Sequence, residues 1–109
     1  MSRYLLIETK SPLEGGDYAF DLGRQLRELH HDVTVYLLQD GVFTARRRLK
    51  AGEQLLQEAE RHGVRVLADA VSARQRGLTG DRLAKAVAVA DMDELVDLLM
   101  ERSDKAIWH

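Results

Sequence analysis

The chain has 109 residues, 45% hydrophobic and 31% charged, with 16 basic and 18 acidic side chains for a net charge of −2. That length bounds a single domain with one modest core, and the near-neutral balance excludes global attraction to nucleic acid or an anionic membrane. Cysteine is absent, which excludes a disulfide framework, a thiolate metal site and any thiol nucleophile of the chain's own.

Arg3 to Glu8 (RYLLIE) reads as a buried parallel strand. The apolar run before Glu8 is too short for a signal-peptide core, and no run approaches the roughly 20 residues that span a bilayer, so the cytoplasm is the expected compartment. A loop from Thr9 to Gly16 carries the breakers Pro12, Gly15 and Gly16. Asp17 then stands as N-cap of a helix whose stripe is Tyr18, Leu22, Leu26 and Leu29. The β-branched and aromatic run Val33 to Leu38 predicts a second strand, stopped by Gln39-Asp40-Gly41. Leu49 to His62 has helical spacing, with Gly63 as its C-terminal stop. Val64 to Ala68 is the third strand, and a short fourth falls within Lys85 to Val89. Asp91 and Glu94 form a capping box for a last helix carried by Met92, Leu95, Val96 and Leu99. Lys105 to Trp108 closes the chain as a fifth strand.

Strands alternating with helices predict right-handed crossovers, hence an α/β three-layer sandwich with a five-stranded, mainly parallel sheet. In such a sheet, ligands sit beyond the carboxyl ends of the strands. The segment Asp69 to Gly77 is therefore the first place to look for chemistry. Asp69 serves either as a turn cap or as a base or hydrogen-bond acceptor for a ligand. Ser72 is a hydroxyl with no histidine at a legible activating spacing, and a cap or turn contact is its plainer role. His30, His31, His62 and His109 lack the spacing of a helical metal pair. No GxGxxG or P-loop pattern occurs, and the strand ends lack the acidic pair of a phosphoacceptor receiver domain. The densest basic run, Arg46-Arg47-Arg48 with Lys50, follows the second strand, and Arg74 and Arg76 follow the third. Both segments can converge on one sheet edge as an anion-binding rim. No aromatic residues interleave them, which disfavours nucleic acid.

Several features in order carry a family resemblance. These are Ala19-Phe20 in the first helix, Asp40-Gly41-Val42 after the second strand, Arg76-Gly77 after the third, and Leu83-Ala84 before the fourth. Over nearly its whole length the chain resembles the DsrE/DsrF/TusD group, small sulfur-relay proteins that pass persulfide sulfur between partners. Members active as sulfurtransferases carry a cysteine eight residues before the glycine of that Arg-Gly pair, and here that position is Asp69. A carboxylate cannot carry persulfide sulfur, because transfer needs a thiolate. The resemblance thus implies the fold and a habit of assembling as homo- or hetero-oligomers with related subunits, without the sulfur chemistry and without a cofactor. Trp108 is an interface anchor or a cap of the chain's own core.

The expected function is a non-catalytic DsrE-like subunit of a sulfur-relay type system, acting in partner binding or assembly. Its binding residues are Asp69, Ser72, Arg74, Arg76, Gly77, Arg46 and Arg47, and the partner group is a small anion or an acidic protein segment. The anion is expected beside the arginines, with Asp69 paired to one of them or accepting a hydrogen bond from the partner. The alternative is a ligand-binding protein or enzyme with a polar pocket around Asp69, Arg74 and Arg76.

Overall fold

The computed structural model describes every residue from Met1 to His109. In chain order the elements are β1 (Arg3–Glu8), α1 (Tyr18–Glu28), β2 (Asp32–Leu37), α2 (Lys50–His62), β3 (Arg65–Asp69), α3 (Ala70–Gln75), β4 (Ala88–Ala90), α4 (Met92–Met100) and β5 (Lys105–Trp108). Short 3₁₀ segments add Gln39–Ala45 and Gly80–Arg82. Every strand pair is parallel, and the sheet order is β4-β3-β2-β1-β5.

The order follows from which residues need cover. The runs in β1, β2 and β3 are apolar on both sides of the pleat, so they occupy the centre and require helices on both faces. On one face Leu6, Val35, Leu37, Val66 and Ala68 pack with Phe20 and Leu26 of α1 and Leu56 and Ala59 of α2. On the other, Leu5, Ile7, Tyr36 and Leu67 pack with Leu95 and Leu98 of α4. Going from β1 to β2 to β3 the chain moves one way across the sheet, whereas from β4 to β5 it moves the other way. Right-handed crossovers then require α1 and α2 on one face and α4 on the opposite face. The direction reverses between β1 and β5, which makes that pair the topological switch point.

Several local expectations shift. Tyr18 and Leu29 are exposed, and the buried residues of α1 are Ala19, Phe20, Gly23 and Leu26. Gly23 lets the helix approach closely, since a Cβ there would sit 3.3 Å from Val33. Asp17 makes no side-chain cap. Its backbone is already helical (φ −72°, ψ −16°), whereas a capping side chain reaches back from an extended residue. In α4 the buried stripe is Leu95 and Leu98, while Met92, Val96 and Leu99 face solvent. β4 begins at Ala88, later than expected. The residues before it are held elsewhere: Leu83 bridges Arg46, and the Ala84 N–H donates to the Ala45 carbonyl at 2.8 Å. The residues after Asp69, read as a turn and basic segment, form α3. Gly63 does end α2, with φ +76° in the left-handed region.

Candidate functional site

Apart from Arg74, the candidate residues gather beyond the carboxyl ends of β2 and β3 in two places, and a third site stands at the end of β1. At the end of β3, Asp69 is 2% exposed and its carboxylate is fully engaged. One oxygen accepts from the Tyr36 hydroxyl at 2.8 Å. The other accepts from the Ser72 N–H at 2.9 Å and the Ser72 hydroxyl at 2.8 Å. The Ser72 Oγ in turn accepts the Gln39 N–H at 2.9 Å, tying α3 to the 3₁₀ segment after β2. Burial, and then the hydrogen bond and charge of Asp69, push the Tyr36 phenol far above its ordinary value, so it remains a donor. Asp69 is therefore the N-cap of α3 and a latch between β2 and β3. The expectation that it pairs with an arginine or meets a partner is corrected: its lone pairs are used internally and no face of it reaches solvent. Ser72, also buried, leaves the set of contact residues for the same reason.

Beside this latch lies an open groove of about 830 Å³, walled by Arg46, Arg47, Arg48, Arg76 and Arg82, with Asp81 as the sole carboxylate. Phe43, Leu49 and Leu78 supply its apolar part, and Gly77 (φ +70°) turns the wall between α3 and Leu78. Two of the arginines are positioned by specific bonds. Arg76 pairs with Asp40 at 2.9 Å and donates to the Ser72 carbonyl at 3.2 Å. Arg47 donates its backbone N–H to the Arg82 carbonyl at 2.8 Å and its guanidinium to the Asp81 carbonyl at 3.3 Å. Arg48 has φ +73°, an unusual backbone for a residue with a Cβ. Leu49, the uncapped start of α2, lines the same groove, so the positive end of a 13-residue helix is directed there. Arg74 is exposed and lies outside the groove lining, which corrects its grouping with Arg76. Helical rotation explains the difference, since residues two apart on a helix do not share a face.

The third place was not singled out by sequence. Glu8, at the end of β1, is 0% exposed. Its carboxylate accepts the Lys10 N–H at 3.1 Å, the Ala19 N–H in the first turn of α1 at 3.3 Å, and His109 Nδ1 at 2.8 and 3.0 Å. Glu8 supplies the helix with the acceptor that Asp17 does not. The imidazole of His109 lies beside the Tyr18 ring, centroids 4.3 Å apart, and the Thr9 hydroxyl donates to the His109 carbonyl at 2.8 Å. The signal for this site was a carboxylate closing a buried strand, the same signal that drew attention to Asp69. Its partner was hidden because His109 is 101 positions away and meets Glu8 only if β5 pairs with β1.

A family model described as the DsrE/DsrF-like family matches residues 2–108. The chain belongs to the DsrE/DsrF-like family. Among solved structures, it is similar to the YchN protein from E. coli, with a TM-score of 0.88, 20% identity and 100% of each chain covered. It is also similar to MTH1491, a protein of unknown function from Methanobacterium thermoautotrophicum, with a TM-score of 0.80, 20% identity and 100% of each chain covered. At that identity these likenesses speak for the fold. No curated protein matches the chain.

Within this DsrE/DsrF-like domain the structure brings together Arg46, Arg47, Arg76 and Gly77 from the expected residues, and adds Arg48 and Arg82. It separates from them Asp69 and Ser72, which are buried, and Arg74, which is exposed outside the groove lining. Trp108 is 61% exposed, so it does not cap the chain's own core. No helix is long and apolar enough to cross a membrane.

Proposed function

We propose that this DsrE/DsrF-like protein is a non-catalytic subunit of a sulfur-relay type system that holds an anionic group of its partner in the arginine groove. The observation that carries the reading is the convergence of five arginines and a helix start on one groove, against Asp81 in its lining and Asp40 paired to Arg76. Each arginine offers a planar fork suited to carboxylate or phosphate. The apolar floor from Phe43, Leu49 and Leu78 adds contact for the rest of the bound segment. Sulfur chemistry has no place in this reading. The chain has no thiol, and the side chain at the position where the resembled sulfurtransferases carry cysteine is a buried structural carboxylate.

The test is co-purification of native partners with wild type and with the Arg46→Ala/Arg76→Ala double variant. The double variant is expected to weaken binding by about 1–3 kcal/mol if both residues make charge-assisted hydrogen bonds. Arg74→Ala serves as the control and should leave binding unchanged. Equal recovery of every partner by the double variant would sink the groove as a binding site. A parallel incubation with a loaded sulfur donor should leave the mass of the protein unchanged.

A second surface favours assembly. Met92, Val96, Leu99 and Met100 fall at i, i+4, i+7 and i+8 on α4, a continuous helical stripe, and are 52%, 48%, 36% and 77% exposed. Glu94 pairs with Arg65 of β3 on the opposite flank of the helix. Trp108, in register with Ile7, is on the sheet face that α4 covers. Apolar surface of this extent on one side of a small protein fits association with related subunits. Val96→Glu and Trp108→Ala are each expected to shift the sedimentation coefficient toward monomer, and a wild type that already sediments as a monomer would overturn this reading.

A further inference from the structure

The doubly wound order places the topological switch point between β1 and β5, and the residues standing there are Glu8 and His109. Neither belongs to the arginine groove or to the Asp69 latch. Their arrangement is specific among the four histidines of the chain. Nδ1 of His31 accepts the Ser2 N–H at 3.0 Å, so the proton of a neutral His31 ring sits on Nε2 and no lone pair is left there. His62 directs Nδ1 at the Glu58 backbone carbonyl at 2.9 Å, with the exposed Glu58 carboxylate farther off at 3.7 Å. His30 is exposed, just past the end of α1. His109 alone directs Nδ1 at a fully buried carboxylate, and at both of its oxygens.

A carboxylate in that position accepts, so Nδ1 of neutral His109 carries the proton and the lone pair is left on Nε2, on the ring edge away from Glu8. The ring is held as well as oriented. Tyr18 lies beside it, the His109 backbone N–H donates to the Ile7 carbonyl at 2.8 Å, and the His109 carbonyl accepts from the Thr9 hydroxyl. Yet the side chain keeps 29% of its surface exposed. A purely structural role, with Glu8 capping α1 and His109 tying down the last strand, explains the Nδ1 contact. It does not require the ring to keep part of its surface in solvent. Carboxylate-oriented imidazoles of this form are nucleophiles as well as bases.

We propose that His109 Nε2 is a nucleophilic acceptor site for a phosphoryl group, with Glu8 as its positioning residue. None of the larger cavities in the fold encloses the ring, so the place lacks the walls that retain a substrate for turnover, and it suits acceptance of a small group from a diffusing donor. The Glu8 carboxylate also accepts the Lys10 and Ala19 amides, and the positive end of α1 lies beside it, which offsets its charge toward an incoming anion. In the step, the Nε2 lone pair attacks phosphorus of a phosphoramidate or acyl-phosphate donor. The bond from phosphorus to the leaving nitrogen or oxygen breaks with its electron pair on the leaving group. The Nδ1 proton stays on the ring, hydrogen-bonded to Glu8.

The experiment uses the intact protein and phosphoramidate at about pH 8. Acid-labile, base-stable phosphoryl addition is read at each histidine by mass spectrometry. His109 is expected to react at least about tenfold faster than His30 in the same molecule, a modest share of what a positioned group contributes. Glu8→Gln, with its circular dichroism checked against wild type, is expected to bring His109 down to the rate of His30. His109→Gln should remove the fast site and leave the other three histidines unchanged. A wild-type rate at His109 no greater than at His30 overturns the proposal whether or not the Glu8 variant folds. So does a folded Glu8→Gln protein that keeps the fast site.

Discussion

Two strands of the same sheet end in a buried carboxylate, and the two ends have opposite characters. At the end of β3, Asp69 meets a buried phenol, a buried hydroxyl and a helix N–H, so every contact is internal and the residue is sealed. At the end of β1, Glu8 is equally buried but its principal partner is a histidine that stays partly in solvent. Residue type and strand position are shared. What differs is whether the next group outward is itself covered, and that decides whether a strand-end carboxylate stabilises the fold alone or also orients a group that solvent can reach.

The sharpest way to break the comparison is to remove the sealed end. Asp69→Ala strands the Tyr36 hydroxyl and uncaps α3, and should cost about 2–4 kcal/mol in urea unfolding, from one lost cap and one unsatisfied buried hydroxyl. A loss below about 0.5 kcal/mol, the level of an ordinary surface change, would mean the latch is ornamental.

The same end should fail in base. The Tyr36 phenol titrates well above its ordinary 10.0 in the folded protein because it is buried and bonded to Asp69. Above that ordinary value the unfolded chain releases the proton and the folded one keeps it. The folded state then binds more protons, and stability falls as pH rises, by about 1.4 kcal/mol per pH unit from this group. Tyr36→Phe should lack that component, which urea midpoints measured across the alkaline range would reveal.

The open end should be more forgiving. Glu8→Gln keeps an oxygen acceptor beside Ala19 and Lys10, and water can reach His109, so about 1–2 kcal/mol is expected. A cost above that of Asp69→Ala would reverse the contrast. The smallest effect belongs to the exposed pair Arg3 and Asp104 across β1 and the start of β5, 3.2 Å apart. The hydrogen bond from the Arg3 side chain, then that from its backbone N–H, holds the Asp104 carboxyl below its ordinary 3.8. Its folded value is lowered, so its contribution is present above 3.8 and is lost as pH falls through the lower folded value. Arg3→Gln should flatten that part of the acid limb only slightly, because both partners are exposed.

Much of the architecture was legible from local pattern. Strand periodicity, the Gly63 stop and the Asp91 cap act within a few residues, so β1, β5 and α2 fall within a residue of their expected bounds. The helix faces were less legible. Spacing shows that a stripe is apolar, but Leu95 and Leu98 were buried in preference to Met92 and Val96 by where the sheet lies. The arginines show the same division. Their presence after two strands predicted convergence on one edge, and Arg46, Arg47 and Arg76 do converge. The entry of Arg82 and the departure of Arg74 depended on the bridge from Arg46 to Leu83 and on helical rotation within α3.

The sequence by itself determined that this is an α/β chain with five strands and that it has no thiol of its own. Those are properties of composition and of contacts a few residues apart. Only the tertiary structure decided that β5 lies against β1. Long-range pairing is set by which faces must be covered and by crossover handedness, and neither is written at a single position. That one adjacency brings His109 to Glu8 across the whole length of the chain.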